Sequence, residues 1–238
     1  MNESSLKTSW RQRLVIIVIA VLLLGATVAT YISIVLSGGG SATQKNEDQI
    51  AQLSEQYEAK NAELEAAAKP FSDKYFPVFS KYQSEVKAYN ETAATNGVLK
   101  TEDLLVGTGK QLTDGDKDYL AYYVGWCADG TVFDSSFDNT GKESEQDATS
   151  LKAPLDPSGG LIDGWEQGVI GMKLGGVRVI TMNGELGYAD SREICGGYNK
   201  PLKFLVMPIA SDENIVKLTK ELSDLWMQLI MAYYGTSN

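Results

Sequence analysis

The chain has no histidine in 238 residues and only two cysteines, Cys127 and Cys195. Without histidine there is no Ser-His-Asp or Cys-His nucleophile system. Two cysteines alone leave a structural zinc site without its usual ligands. Excess positive charge is also missing. The net charge is −10, which repels phosphate backbones and argues against nucleic acid as a partner. The stretch "GTGKQ" (Gly107 to Gln111) lacks the second half of a Walker loop and the Ser/Thr after its lysine, so it reads as a turn between strands.

One long segment lacks charge of either sign. Leu14 to Leu36 is uninterrupted and apolar. At ~1.5 Å per residue it can cross a hydrocarbon core of ~30 Å. It is too long for the apolar region of a signal peptide, and no A-x-A site follows. Lys7, Arg11 and Arg13 precede it with Glu3 as the sole acid, so residues 1–13 carry +2 and the rest of the chain −12, for the total of −10. Positive flanks stay on the cytoplasmic side. The expectation is a single-pass membrane protein with a cytoplasmic N-terminus at residues 1–13, a transmembrane anchor at 14–36 and everything after it extracytoplasmic. There a disulfide between the two cysteines is permitted, and two separate buried thiols are equally compatible.

Residues 37–43 form a flexible Gly/Ser linker. Residues 44–96 read as a helical stalk. Ile50, Leu53, Tyr57 and Leu64 recur near a 3-4 spacing up to about Ala68, which leaves a short coiled coil open. A second helical piece, Lys69 to Asn90, carries an aromatic stripe of Phe71, Tyr75, Phe79, Tyr82, Val86 and Tyr89, and Pro77 is expected to kink or split it. From 97 to 210 glycines and β-branched residues cluster. Strands are expected at Asp103–Val106, Tyr119–Cys127, Val177–Met182 and Leu202–Ile209, with turns at Asp114-Gly115 and Asp129-Gly130. Residues 211–234 form an amphipathic helix with Ser211 as N-cap and Leu218, Leu222, Trp226 and Leu229 on its apolar face. It is expected to dock on the Phe71–Tyr89 piece, with a homodimer contact as the alternative.

Alternation in "YLAYYVGWC" puts Tyr123, Gly125 and Cys127 on one strand face. Four pieces then follow in order: "YYVGWCADGTVFDSS", "LIDGWEQGVIGMKLGGVRVITM", "LGYA" and "PLKFLVMPI". Their series, Y-x-G…DG-x-x-FDSS…I-x-GW-x-x-G-x-x-GM-x-x-G, resembles the FKBP-type peptidyl-prolyl cis-trans isomerases over roughly Leu99 to Ala210. The resemblance implies an α+β fold in which a curved antiparallel sheet wraps a short helix. It implies an aromatic pocket with Trp165 as floor and Tyr123, Phe133, Leu161, Ile162 and Phe204 as walls. Its polar groups would be the Asp134 carboxylate, the Tyr188 hydroxyl and the Ile162 backbone N–H. Ile194 and Cys127 would line the substrate side. The implied activity is isomerisation of X–Pro bonds in polypeptides, with no cofactor and no metal. A non-catalytic peptide-binding or chaperone module on the same fold is the alternative.

The sequence departs from the family pattern at the rim. Tyr188 is followed by Ala189 where a glycine is usual. The loop "SREICGGYNKP" lacks the usual Ile-Pro-Pro, leaving Ile194 and Cys195 for the apolar wall. No aromatic follows Phe137 in the polar stretch before Leu161, so Leu151 or Leu155 is expected to stand in.

Overall fold

A computed structural model describes residues 44–95, 99–139 and 147–234. The expected cytoplasmic N-terminus, anchor and linker (1–43) lie outside these residues. Among the described residues no helix is long and apolar enough to cross a membrane.

Five strands form one sheet: β1 (Leu99–Leu105), β2 (Tyr119–Trp126), β3 (Val132–Ser135), β4 (Val177–Met182) and β5 (Leu202–Ala210). Their order is β1-β4-β5-β2-β3, and each neighbouring pair is antiparallel. Four α-helices accompany the sheet among the described residues: α1 (Gln44–Phe79), α2 (Glu91–Thr95), α3 (Asp163–Gly168) and α4 (Glu213–Tyr234). This is the α+β arrangement expected. β1 begins earlier than its expected span and ends before Val106, and β3 is an additional strand after the turn at Gly130, where φ is 91°.

Every residue of β2 is buried. The two-residue period of a strand explains how. Tyr119, Ala121 and Tyr123 join one apolar cluster with Trp165, Ile180 and Phe204, on the face covered by α3. Leu120, Tyr122, Val124 and Trp126 join another, with Leu205, Met207, α1 and α4. The sheet is therefore dry on both faces, and the protein has three layers.

The back layer corrects three expectations. Pro77 does not split the helix, because α1 runs continuously from Gln44 to Phe79 through Pro70 and Pro77. Its aromatic stretch lies flat on the sheet, and this packing holds the helix across both prolines. Phe79 stacks on Phe137 with centroids 5.3 Å apart, and Tyr75 meets Tyr122 at 6.1 Å. The chain then tightens into a 3₁₀ turn, Ser80–Glu85. Secondly, α4 does not dock on the Phe71–Tyr89 piece. It lies antiparallel along the first half of α1, where Lys60 pairs with Glu221 at 2.9 Å and Tyr57 packs against Trp226 at 5.8 Å. The aromatic stripe is occupied by the sheet, so α4 takes the Ile50–Leu64 stripe instead. Thirdly, the capping side chain at the start of α4 is Asp212, whose Oδ1 accepts from the Ile215 N–H at 3.0 Å; Ser211 does not fill that role.

Candidate active site

The aromatic cluster forms where α3 crosses the front of the sheet. Arg178 of β4 fixes that helix. Its guanidinium donates to the carbonyl oxygens of Gly168 (2.8 Å) and Ile170 (3.0 Å), and to both oxygens of Asp103 on β1 (2.6 and 3.0 Å). The helix can sit this close because Gly164 and Gly168 face the sheet. A Cβ on Gly164 would come within 2.5 Å of Met182 Sδ, and one on Gly168 within 2.6 Å of Ile180 Cγ2.

Trp165 opens into this space almost fully buried. Its Nε1–H donates to the Tyr119 hydroxyl at 3.2 Å, which fixes the indole plane. Tyr123 meets Trp165 edge-on at 5.3 Å, Phe204 meets it at 5.4 Å, and Phe133 meets Phe204 at 5.5 Å. Edge-to-face packing at these separations is the favoured geometry for aromatic pairs. Gly125 leaves room for the rings, since a Cβ there would lie 2.5 Å from Phe133 Cζ and 2.8 Å from Phe204 Cε1. Leu161 and Ile162, at the entry to α3, and Tyr188 complete the same cluster, each half-buried. Ile162 is the N-cap residue of α3, and its carbonyl accepts from Trp165 N–H at 2.9 Å and Glu166 N–H at 3.2 Å.

Asp134 is half-buried beside these rings. Its Oδ2 accepts from the Tyr123 hydroxyl at 2.7 Å and its Oδ1 from the Ser135 N–H at 2.9 Å. Burial pushes its carboxyl above the ordinary carboxylate range, against the pull of the Tyr123 and Ser135 donors and of the Lys152 and Arg192 charges. Burial likewise raises Tyr123 and Tyr188, with Arg192 opposing the shift at both. Both phenols therefore stay protonated as donors at neutral pH.

The loop from Ser191 to Asn199 forms the rim. Ile194 and Gly197 exchange backbone hydrogen bonds of 2.9 and 3.2 Å. The two residues between them, Cys195 and Gly196, have φ of 57° and 76°, the pattern of a type I′ turn. Cys195 is bonded to Cys127, just past β2, with Cα atoms 5.4 Å apart. The disulfide and the tight turn thus hold Ile194 buried against the pocket cluster without the loop prolines. Cys127 therefore anchors the rim loop to the end of β2. Ala189 adopts φ of 46°, the left-handed conformation that a glycine takes at no steric cost. Of the two leucines expected to replace a wall aromatic, Leu155 packs against the pocket cluster and Leu151 belongs to the opposite face.

Two residues at the site escaped the sequence reading. Tyr119 shares the strand face of Tyr123 four residues on, so alternation alone would have found it. Arg192 lies with its Cζ 5.0 Å from the centroid of the Tyr188 ring, and no spacing rule signals that contact. Among the described residues no group of three His, Cys, Asp or Glu side chains is arranged to hold a metal.

The family model of FKBP-type peptidyl-prolyl cis-trans isomerase matches residues 109–207. Over 95 residues the chain is 39% identical to the FK506-binding protein of Neisseria meningitidis serogroup A, a match covering 39% of this chain and 75% of that protein. The chain belongs to the FKBP-type peptidyl-prolyl cis-trans isomerase family. Within that family it is 29% identical over 191 residues to the peptidyl-prolyl cis-trans isomerase Mip of Chlamydia muridarum, across 71% of this chain and 73% of that one. That span is too long to be confined to the FKBP domain. Among solved structures, FkpA from Escherichia coli aligns with a TM-score of 0.37 at 21% identity, over 76% of this chain and 79% of FkpA.

Proposed function

We propose that this FKBP-family protein is a prolyl isomerase held in a membrane by residues 14–36, with its pocket outside the cytoplasm, where it assists exported chains to fold. The observation that carries the catalytic part is the ring cluster of Tyr123, Phe133, Trp165 and Phe204 with one carboxylate and two phenols at its edge. The uncharged run at 14–36 with its basic N-terminal flank supports the anchor. The Cys127–Cys195 disulfide suits an oxidising compartment.

The chemistry follows from the amide. Rotation about X–Pro meets a barrier of ~18–20 kcal/mol set by resonance, and unaided isomerisation takes tens to hundreds of seconds. The twisted amide has lost resonance, so its carbonyl is less polar than that of the planar form. A dry aromatic pocket favours the twisted form over the planar one, which is differential binding of the transition state. In this reading Trp165 is the floor under the proline ring. Phe133, Phe204, Leu161 and Ile194 are walls. The Tyr188 hydroxyl and the Ile162 N–H hold flanking carbonyls, and Asp134 orients the Tyr123 hydroxyl.

The test is isomerisation of a short Leu-Pro or Phe-Pro peptide by the full chain in phospholipid nanodiscs. Wild type is expected to accelerate it, and Phe133→Ala to lower kcat/KM by about tenfold or more with the melting transition retained. A folded protein that binds the peptide without accelerating it would instead be a peptide-binding module. Alkaline extraction of membranes tests the anchor separately, and release into the supernatant would refute it.

A further inference from the structure

Asp134 accepts hydrogen bonds from Tyr123 of β2 and from the Ser135 N–H of β3, and neither donor carries charge. The charged groups that face it are Lys152, from the segment after β3, and Arg192, from the rim loop. Lys152 already donates its ammonium to the Ser135 carbonyl at 3.3 Å. Arg192 is placed differently. Its guanidinium covers the Tyr188 ring at 5.0 Å, and its charge also faces Tyr123. Arg192 thus packs on Tyr188 and adds its charge to that of Lys152 on the side of Asp134.

The backbone fixes this placement from both sides. Upstream, Ser191 N–H bonds to the Tyr188 carbonyl at 2.9 Å, closing a turn that faces Arg192 toward the ring. The left-handed Ala189 is tied at both ends: its N–H donates to Gly184 O and its carbonyl accepts from Asn199 N–H, each at 2.8 Å. Downstream, the disulfide pins Cys195 three residues after the arginine. Arginine suits the position because its planar guanidinium both stacks on a ring and carries a permanent charge.

We propose that Arg192 is a positioning residue of the isomerase site: it packs on Tyr188 and so holds that phenol in place, and together with Lys152 it contributes part of the positive charge facing Asp134. This rests on the pocket assignments made above for Tyr188 and Asp134. Burial raises the Asp134 carboxyl, and Arg192 opposes that rise, so removing the cation moves the carboxyl further up.

Two substitutions divide the roles. Arg192→Met keeps an aliphatic cover over Tyr188 and removes the charge together with the hydrogen bond to the Tyr188 hydroxyl. Arg192→Lys keeps the charge and loses the plane. In the full chain, Arg192→Met is expected to lower kcat/KM for an X–Pro peptide by about tenfold and to shift the acidic limb of the pH–rate profile to higher pH. Arg192→Lys is expected to leave that limb at its wild-type position and to recover part of the rate. Both should melt with wild type, because the side chain is half-exposed on a loop. Cys127→Ser with Cys195→Ser is expected to reproduce the limb shift, since it frees the loop that presents Arg192. Wild-type kcat/KM and an unmoved limb in Arg192→Met would overturn the proposal. So would equal losses in both Arg192 variants with the limb fixed, which is the signature of a purely steric role. Tyr188→Phe and Asp134→Asn serve as controls on the underlying reading. If both run at the wild-type rate, the pocket assignment fails and this proposal fails with it.

Discussion

Gly125 lies opposite Asp134 in the β2–β3 pairing and beneath the rings of Phe133 and Phe204. A methyl group there cannot be absorbed by a flexible side-chain end, because both neighbours are rings already packed edge-on. Gly125→Ala is expected to destabilise the fold by about 1–3 kcal/mol, as overpacking does, and to lower kcat/KM by a larger factor than the change in melting suggests, because the displaced rings belong to the proposed pocket. Parallel thermal melts and peptide kinetics check this; wild-type kinetics in a destabilised protein would place the rings outside the site. At this scale the clustering of the aromatic residues was legible in the sequence, because the motif series sets them at fixed points on strand and helix. The rim was not legible. Its conformation depends on Ala189 and Cys195 taking left-handed dihedrals that glycine would have announced, and on a disulfide that sequence alone left open.

Among the elements, the Arg178 clamp ties β1, β4 and the end of α3 into one unit. Its guanidinium is nearly buried while Asp103 is half-exposed, so the aspartate's contribution is partly screened. The Arg178 hydrogen bonds hold the Asp103 carboxyl below its usual range. A lowered carboxyl contributes stability above its unfolded value of about 3.9, and that contribution is lost as pH falls through the folded value. Asp103→Asn is therefore expected to cost roughly 1–2 kcal/mol at neutral pH. The gap from wild type should close in strong acid, as read by urea unfolding at several pH values. A gap independent of pH would show that charge plays no part. The elements also mark the limit of pattern reading. Periodicity identified the apolar stripes of α1 and α4 correctly, but a stripe states that a face is covered and not by what. The aromatic stripe went to the sheet, and the Ile50–Leu64 stripe received α4.

For the whole molecule, the three-layer build means that the FKBP domain does not end where its strands end. Deleting residues 1–90 would strip α1 from Leu120, Tyr122, Val124, Trp126 and Phe137, all of them buried. Such a fragment is expected to aggregate or to bind an apolar dye, and light scattering beside the full chain reads the difference. A monomeric, fully active fragment would show that the back layer is dispensable. The doubly covered sheet also explains why β2 reads as a nearly unbroken apolar run, where a sheet with one wet face would alternate.

The antiparallel α1–α4 pair has a mechanical consequence. α4 leaves the sheet at β5 and runs back along α1 toward the start of the described chain. Under a load applied between the start of α1 and the sheet, tension runs along α1. The second helix then lies parallel to the load as a splint. Its contacts are strained in shear and must slip together, where a helix peeled sideways would give way one turn at a time.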